Sequence, residues 1–359
     1  MKFPGSHDFA NQLLDEINPV EYKNRRNYVN YSTKLGPYIT RGALTLTQVR
    51  DHTLNKFSPE ESKKLIYELS WREYWQREWK FRGDAIQTDI KQAQKNVENH
   101  EISTAIIEAE TGIKTIDQQI NKLLETGFVH NHGRLWLAGL TCNIAKSHWL
   151  KPSKWMLYHL LDGDPASNSL SWQWVAGTFS SKKYVPTQQN INKFSDSNQT
   201  NTYIDLTHQE LLHTETPAEL KETKPVQLKW TQPKGDEIVV DPDKPTLLYH
   251  PFWINKNWHQ EIDANKIMLL TPSWFEKWPI SPKVTNFIIE LAKNIEGMQI
   301  VVSEFKDLDL PNKPIYVEHQ YTNQWVGAEE QIPLLFPKTP MRSFNSFSSF
   351  YKSCEKHSH

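Results

Sequence analysis

The chain has 359 residues, enough for two domains of ordinary size. It holds no uninterrupted apolar run of about 18 residues, which excludes a membrane-spanning helix, and Met1 to Asn11 lack the apolar stretch of a secretory signal. Two distant cysteines, Cys142 and Cys354, cannot build a disulfide framework, a zinc knuckle or an iron–sulfur cluster, so no metal site and a reducing, cytoplasmic setting are expected.

Residues 1–200 carry 25 basic and 21 acidic side chains against 16 and 21 in the remainder, so an anionic partner fits the first half better than the second. Of 14 tryptophans, eight precede residue 175. They suit a helical core around a flat cofactor, and equally a core that is simply rich in rings.

Along the chain, residues 8–200 read as helical. Ser58-Pro59-Glu60-Glu61 starts a helix, with acids in its first turn, and Leu65, Leu69, Trp71, Trp75 and Trp79 share one side of it through Phe81. Thr104 to Glu125 and Phe128 to Ser147 follow as helices separated by Thr126-Gly127, and Pro152 opens another toward Leu161. Residues 201–243, rich in Ser, Thr, Lys and Pro, read as a linker with one short helix near Pro217 to Glu222. Short apolar runs at 245–249, 266–270, 298–302 and 314–317, with a helix over 282–294, predict a small parallel α/β domain over 244–335. Residues 336–359 read as a polar tail dotted with aromatic residues.

The segment from Thr126 to Trp174 carries the functional signal: TGFVHNHGR, a Trp at 149, DGDPASN at 162–168, then WQW at 172–174. This ordered set over about fifty residues resembles the FAD-binding domain of the photolyase/cryptochrome family, and it sits closest to the class I cyclobutane pyrimidine dimer photolyases. Two upstream segments agree. Tyr31-Ser-Thr-Lys-Leu-Gly-Pro-Tyr38 is similar to the family's phosphate-wrapping segment, and Glu68-Leu-Ser-Trp-Arg-Glu-Tyr74 to its lesion-side helix. The resemblance covers about residues 8–195.

It implies a multidomain chain, an all-α photolyase-type FAD-binding domain (1–200) followed by a small Rossmann-like α/β domain. FAD is the cofactor it implies, held by Tyr22, Ser32, Thr33, Lys34, Leu35, Arg72, Asn131, Arg134, Asp162, Asp164 and Asn168. Ser32 and Thr33 offer hydroxyls and Lys34 a charge to a pyrophosphate, although an ordinary helix cap would look the same. Arg134 and Asp162 match a pair that clamps the flavin ring, and His130 shares a helix face with Arg134. Asn168 matches the position facing flavin N5; taken alone it would read as a turn residue. Trp172 and Trp149 match the first two members of an electron-transfer chain, whose third position is taken by Asn96.

For substrate, Glu68, Trp71, Asn131 and Trp174 match the pocket that holds a flipped pyrimidine dimer. The implied activity is that of a deoxyribodipyrimidine photolyase, in which electron donation from reduced flavin splits the dimer, with Glu68, Asn168, Trp172 and Trp149 as its catalytic set. The implied partner is damaged DNA, including single strands, and the implied state a monomer. Three departures point to the alternative of a cryptochrome-like photoreceptor or redox flavoprotein with a protein partner on the C-terminal domain. His132 stands at a lesion-side Arg, Leu135 at a Met and Gly36 at a phosphate-facing Ser. Ordinary photolyases begin with an α/β antenna domain. Here the α/β segment comes second, either as a reduced antenna domain or as an unrelated module, and no antenna pigment is assigned to it.

Overall fold

The computed structural model describes residues 2–180 and 182–357. In chain order its principal helices are α1 (Pro59–Arg82), α2 (Lys114–Thr126), α3 (Asn131–Gly139), α4 (Leu150–His159), α5 (Pro165–Ala176), α6 (Pro282–Lys293) and α7 (Phe347–His357). The start of α1 is as expected, and Glu61 reaches back to accept from both the N–H and the hydroxyl of Ser58 at 2.9 and 2.7 Å.

Two expected helices differ in extent. The one over 104–125 is broken into Thr104–Glu108 and α2, because Ala109 (φ 57°) and Gly112 (φ 78°) turn left-handed and Asp117 accepts from the N–H and hydroxyl of Thr111. The one over 128–147 begins only at Asn131. There His130 caps it, and a π-helical turn, Leu140–Ile144, follows it.

The chain packs as two compact units, and each draws on separated stretches: Met1–Pro19, Thr33–Lys80 and Lys229–His359 in one, Val20–Ser32 and Phe81–Leu228 in the other. This grouping differs from the consecutive blocks expected at 1–200, 201–243, 244–335 and 336–359. The reason is packing at both ends of the supposed linker and tail. Ile204, Leu211 and Leu220, from the first part of the linker, are buried in the core of the helical unit. Thr223–Lys224 pairs antiparallel with Ile102–Ser103, a short ladder within a unit expected to be all-α.

The tail is likewise not a loose polar end. It holds α7, with Phe347, Phe350 and Cys354 buried. A buried ion pair on α1 anchors it: Arg77 donates to Glu73 at 2.9 Å and to the carbonyls of Phe336 and Thr339, while Glu73 accepts from the N–H of Leu335. Glu78 accepts from Ser343 and from the N–H of Phe344. Burial pushes the Glu73 carboxyl up against the pull of Arg77.

The α/β unit contains five strands, β1 (Thr246–Tyr249), β2 (Asn265–Leu270), β3 (Met298–Val302), β4 (Ile315–Val317) and β5 (Ala328–Glu330). They form one parallel sheet in the order β3-β2-β1-β4-β5. All four residues of β1 are buried, as a strand covered on both faces requires. The strand order reverses between β1 and β4, where doubly wound sheets hold ligands beyond the strand carboxyl ends. Here that place is packed with rings: His319 stacks on Phe252 at 4.3 Å and lies 5.5 Å from His250, with Trp274 and Tyr321 beside them. Burial drives His250 down to about 3, and burial, His250 and Arg41 lower His319 as well.

Candidate functional site

In the helical unit, the Thr126-Gly127 punctuation sets the position of the acidic turn. Gly127 ends α2 with φ 71°, and a Cβ there would lie 2.7 Å from Leu161 and 3.0 Å from the His159 carbonyl. Its own carbonyl accepts from the N–H of Leu161 at 2.8 Å, which fixes the residue just before Asp162.

Across the unit, Arg134 on α3 donates through Nη2 to both Asp162 oxygens at 2.8 Å and through Nε to the Val129 carbonyl at 3.0 Å. Asp162 is buried and Arg134 is one-quarter exposed, so the pair is fixed yet open on the arginine side. Helix α5 packs on α3 and α4, and Asn168 on α5 donates its NH2 to the Ser153 carbonyl at 2.9 Å. The Asn168 amide oxygen has no protein partner among the described residues, so an anchored acceptor is presented beside the helix.

Asp164 has a different job from the one expected. It caps α5, accepting from the N–H groups of Ala166 and Ser167 and from the Ser167 hydroxyl, so both its oxygens are engaged inside the turn. Asn131 is exposed at the first turn of α3. His130 accepts from the N–H of His132, and burial, with His132 and Arg134 adding, lowers it to about 4. His132 is lowered to about 4 as well, by burial and then by Arg26, and its ring lies 4.9 Å from Phe194. It is therefore neutral at neutral pH and does not replace the charge of an arginine.

Trp172 and Trp174 lie two residues apart on α5, about 200° around the helix. Trp172 is buried in the same apolar cluster as Trp149, while Trp174 is 41 % exposed. Trp149 donates its indole N–H to Asp89 at 2.6 Å. Tyr22 packs on Tyr31 with the rings tilted at 52° and 6.5 Å apart, and Ser32 closes this unit's first stretch.

In the α/β unit, Thr33, Lys34 and Leu35 precede the short helix Gly36–Thr40. Lys34 adopts a left-handed backbone (φ 58°). Leu35 is the N-cap and no side chain caps this helix, which removes the ordinary capping role for Ser32 and Thr33. Arg72 donates to the Thr40 hydroxyl at 2.8 Å. On α1, Glu68 is paired with Lys64 at 2.7 Å, and Trp71 is stacked on Phe347 of α7 at 3.6 Å and 8°. Sequence reasoning missed Phe347 and Asp89. The first had only the aromatic dotting of the tail as a signal; the second lies in an irregular loop and had none.

Comparison with known proteins finds relatives of part of this chain. The family described as the FAD binding domain of DNA photolyase matches residues 65–238. A deoxyribodipyrimidine photo-lyase from Alkalihalophilus pseudofirmus is 26 % identical over 161 residues, 43 % of this chain and 34 % of that protein. A cryptochrome DASH from Oryza sativa is 29 % identical over 168 residues, 44 % of this chain and 28 % of that protein. A photo-lyase from Synechococcus is 27 % identical over 207 residues, 54 % and 43 %. The chain thus matches less than half the length of these relatives. Among solved structures, a cryptochrome from Synechocystis has a TM-score of 0.49 at 22 % identity, covering 54 % of this chain and 44 % of that one.

Residues 65–238 thus match the FAD-binding domain of DNA photolyase, and FAD is the cofactor of that domain. The residues present fit a flavin: a guanidinium whose Nη2 bridges both oxygens of a buried carboxylate, and an anchored amide whose oxygen has no partner among the described residues, supply the fixed donors and acceptor that such a ring requires.

Proposed function

We propose that the chain is a blue-light-driven DNA repair enzyme, a deoxyribodipyrimidine photolyase that splits cyclobutane pyrimidine dimers, preferring single-stranded DNA and acting as a cytoplasmic monomer. The observation that carries this reading is the pair Trp172 and Trp174, one ring turned into the core and the next offered to solvent. An exposed indole on a rigid helix is a platform for a flipped base, worth about 1–3 kcal/mol per stacked base. Asn131 adds an exposed amide, and Glu68 with Trp71 adds a carboxylate and a ring three residues apart on α1.

When bound, FAD supplies light absorption and one-electron chemistry. The chain does the rest. Within the helical unit, Arg134, Asp162 and Asn168 would hold the ring; Ser32, Thr33, Lys34 and Arg72 are the residues that the family motif assigns to the phosphates. Trp172 and Trp149 carry electrons toward the flavin through an apolar core.

A second reading, a photoreceptor or redox flavoprotein without repair, is favoured by the stack of Phe347 on Trp71. One face of the lesion-side ring is already taken, Glu68 is neutralised by Lys64, and His132 carries no charge. The deciding experiment reconstitutes the full chain with FAD and illuminates it, with a reductant, on dimer-containing oligo(dT), single-stranded and duplex. Loss of dimers is expected. Flavin-loaded protein that leaves every dimer intact would overturn the repair reading and establish the second.

A further inference from the structure

The electron path through the helical unit lacks its third tryptophan. The corresponding residue, Asn96, is exposed and left-handed at φ 60°, a conformation that Asn tolerates and a bulky residue avoids. The next ring inward, Trp149, is fully buried. A buried indole usually finds a partner for its N–H, and a carbonyl or an amide would serve. Here the partner is a carboxylate: Nε1 donates to Asp89 Oδ1 at 2.6 Å, in the short range of charge-assisted bonds.

The loop that holds Asp89 is built around this contact. Gln94 donates its N–H to Asp89 Oδ2 at 2.8 Å and accepts the N–H of Trp149 at 2.9 Å. His148 stands 3.4 Å from Oδ1, and its Nδ1 accepts from the N–H of Leu150 at 3.4 Å, which leaves the proton on the nitrogen that faces Asp89. The Asp89 side chain is one-fifth exposed, on the solvent side of a core ring.

We propose that Trp149 is the terminal electron donor of this chain and that Asp89 is the counter-ion that holds the positive charge there. The proposal rests on the reading of Trp172 and Trp149 as electron carriers. One electron leaves Trp149 through Trp172 toward the photoexcited oxidised flavin, which is the oxidant. The indole ring is left one electron short and positive, and the carboxylate across the hydrogen bond balances it in a medium of low dielectric. An external thiol or similar reductant then returns one electron to Trp149.

The test is transient absorption of tryptophan radicals after a light pulse, on FAD-loaded wild type, Asp89→Asn, Asp89→Glu and Trp149→Phe. Asp89→Asn keeps an acceptor for the indole and removes the charge. It is expected to shorten the radical lifetime about tenfold, the difference between a charged and a neutral hydrogen bond, with partial rescue by Asp89→Glu. An unchanged lifetime in Asp89→Asn, together with a lost signal in Trp149→Phe, would overturn the counter-ion and keep the carrier. An unchanged signal in Trp149→Phe would sink the carrier reading itself. Two measurements need no folded Asp89 variant. The indole N–H resonance of Trp149 in flavin-free wild type is expected strongly downfield, and an ordinary position overturns the proposal. Pulsed EPR on illuminated wild type reads the distance between the paired spins, and a charge resting on any ring other than Trp149 overturns it too.

Discussion

The two units keep family residues in different ways. In the helical unit, the matched side chains bind one another and leave something over: Arg134 holds Asp162 with its outer side open, and Asn168 is anchored by its NH2 with its oxygen unpartnered. In the α/β unit, three matched side chains on α1 have been taken up by neighbours: Glu68 by Lys64, Arg72 by Thr40, Trp71 by Phe347. Even the crevice where a doubly wound sheet takes a ligand is closed by His319 on Phe252. These matched residues are present on both sides, while their side chains are left available on one. A motif match therefore supports a cofactor site more firmly than it supports a substrate pocket in this chain.

The largest expected effect comes from the ion pairs, one in each unit. Arg77→Ala leaves Glu73 buried and unpaired and releases the carbonyls at 336 and 339, at a cost of about 3–5 kcal/mol. Asp162→Ala leaves Arg134 with an open side to water, so the stability loss is smaller, but the pair proposed to hold the flavin is gone. Chemical denaturation together with flavin content separates them. Arg77→Ala is expected to lose stability first, and Asp162→Ala to lose FAD first. Equal behaviour in both assays would erase the contrast between a structural and a cofactor-holding pair.

Acid comes next. His130 titrates near 4 when folded, chiefly because it is buried, against an ordinary value of 6.5. Between those values the unfolded chain binds a proton that the folded chain refuses, so stability falls as pH drops below 6.5 and the loss is complete near pH 4. Above pH 6.5 the term vanishes. At about 1.4 kcal/mol per pKa unit, His130 contributes roughly 3 kcal/mol to this slope. His132 acts in the same window, and His250 extends the loss toward pH 3. Urea midpoints followed from pH 7 to 4.5 are expected to fall. His130→Gln should flatten the curve, and an unchanged slope in that variant would place the acid sensitivity in His132 and His250 instead.

Much of this was legible in the sequence because local rules governed it. Pro59 and its acids start α1, Gly127 stops α2, and the apolar runs at 246 and 265 make parallel strands. The Arg134–Asp162 pair was legible because its residues fall in one ordered stretch. What escaped depended on contacts between distant segments. Phe347 acquires meaning only when α7 lands on α1, nearly 280 residues away in sequence. Asp89 does so only when an irregular loop closes on Trp149, 60 residues away. The linker looked like a linker because Ile204, Leu211 and Leu220 are sparse among polar residues, yet each is buried. A polar composition does not prevent a few apolar anchors from fixing a segment.

The stack on Trp71 has an intermediate effect. Phe347→Ala removes a ring from that face, and binding of single-stranded oligo(dT) is expected to strengthen by about 1 kcal/mol if a base can take its place. Trp174→Ala, by the same scale, should weaken binding by about 1–3 kcal/mol. Fluorescence anisotropy measures both. Tighter binding in Phe347→Ala would show that the α/β unit keeps a usable platform beneath its own tail. No change would make Trp71 a packing residue and leave Trp174 as the platform.

The smallest effect tests one residue on which motif and geometry differ. The motif puts Asp164 at the cofactor, whereas both its oxygens are engaged in capping α5. Asp164→Ala is expected to cost about 1 kcal/mol, the value of an N-cap, and to leave the FAD content of the purified protein unchanged. Asp164→Ser keeps a capping oxygen and should recover most of that loss. If Asp164 instead touched the cofactor, Asp164→Ser would lose flavin despite a restored cap. The residue would then belong with Asp162, and the helical unit would hold its cofactor through a turn that also has to start the helix.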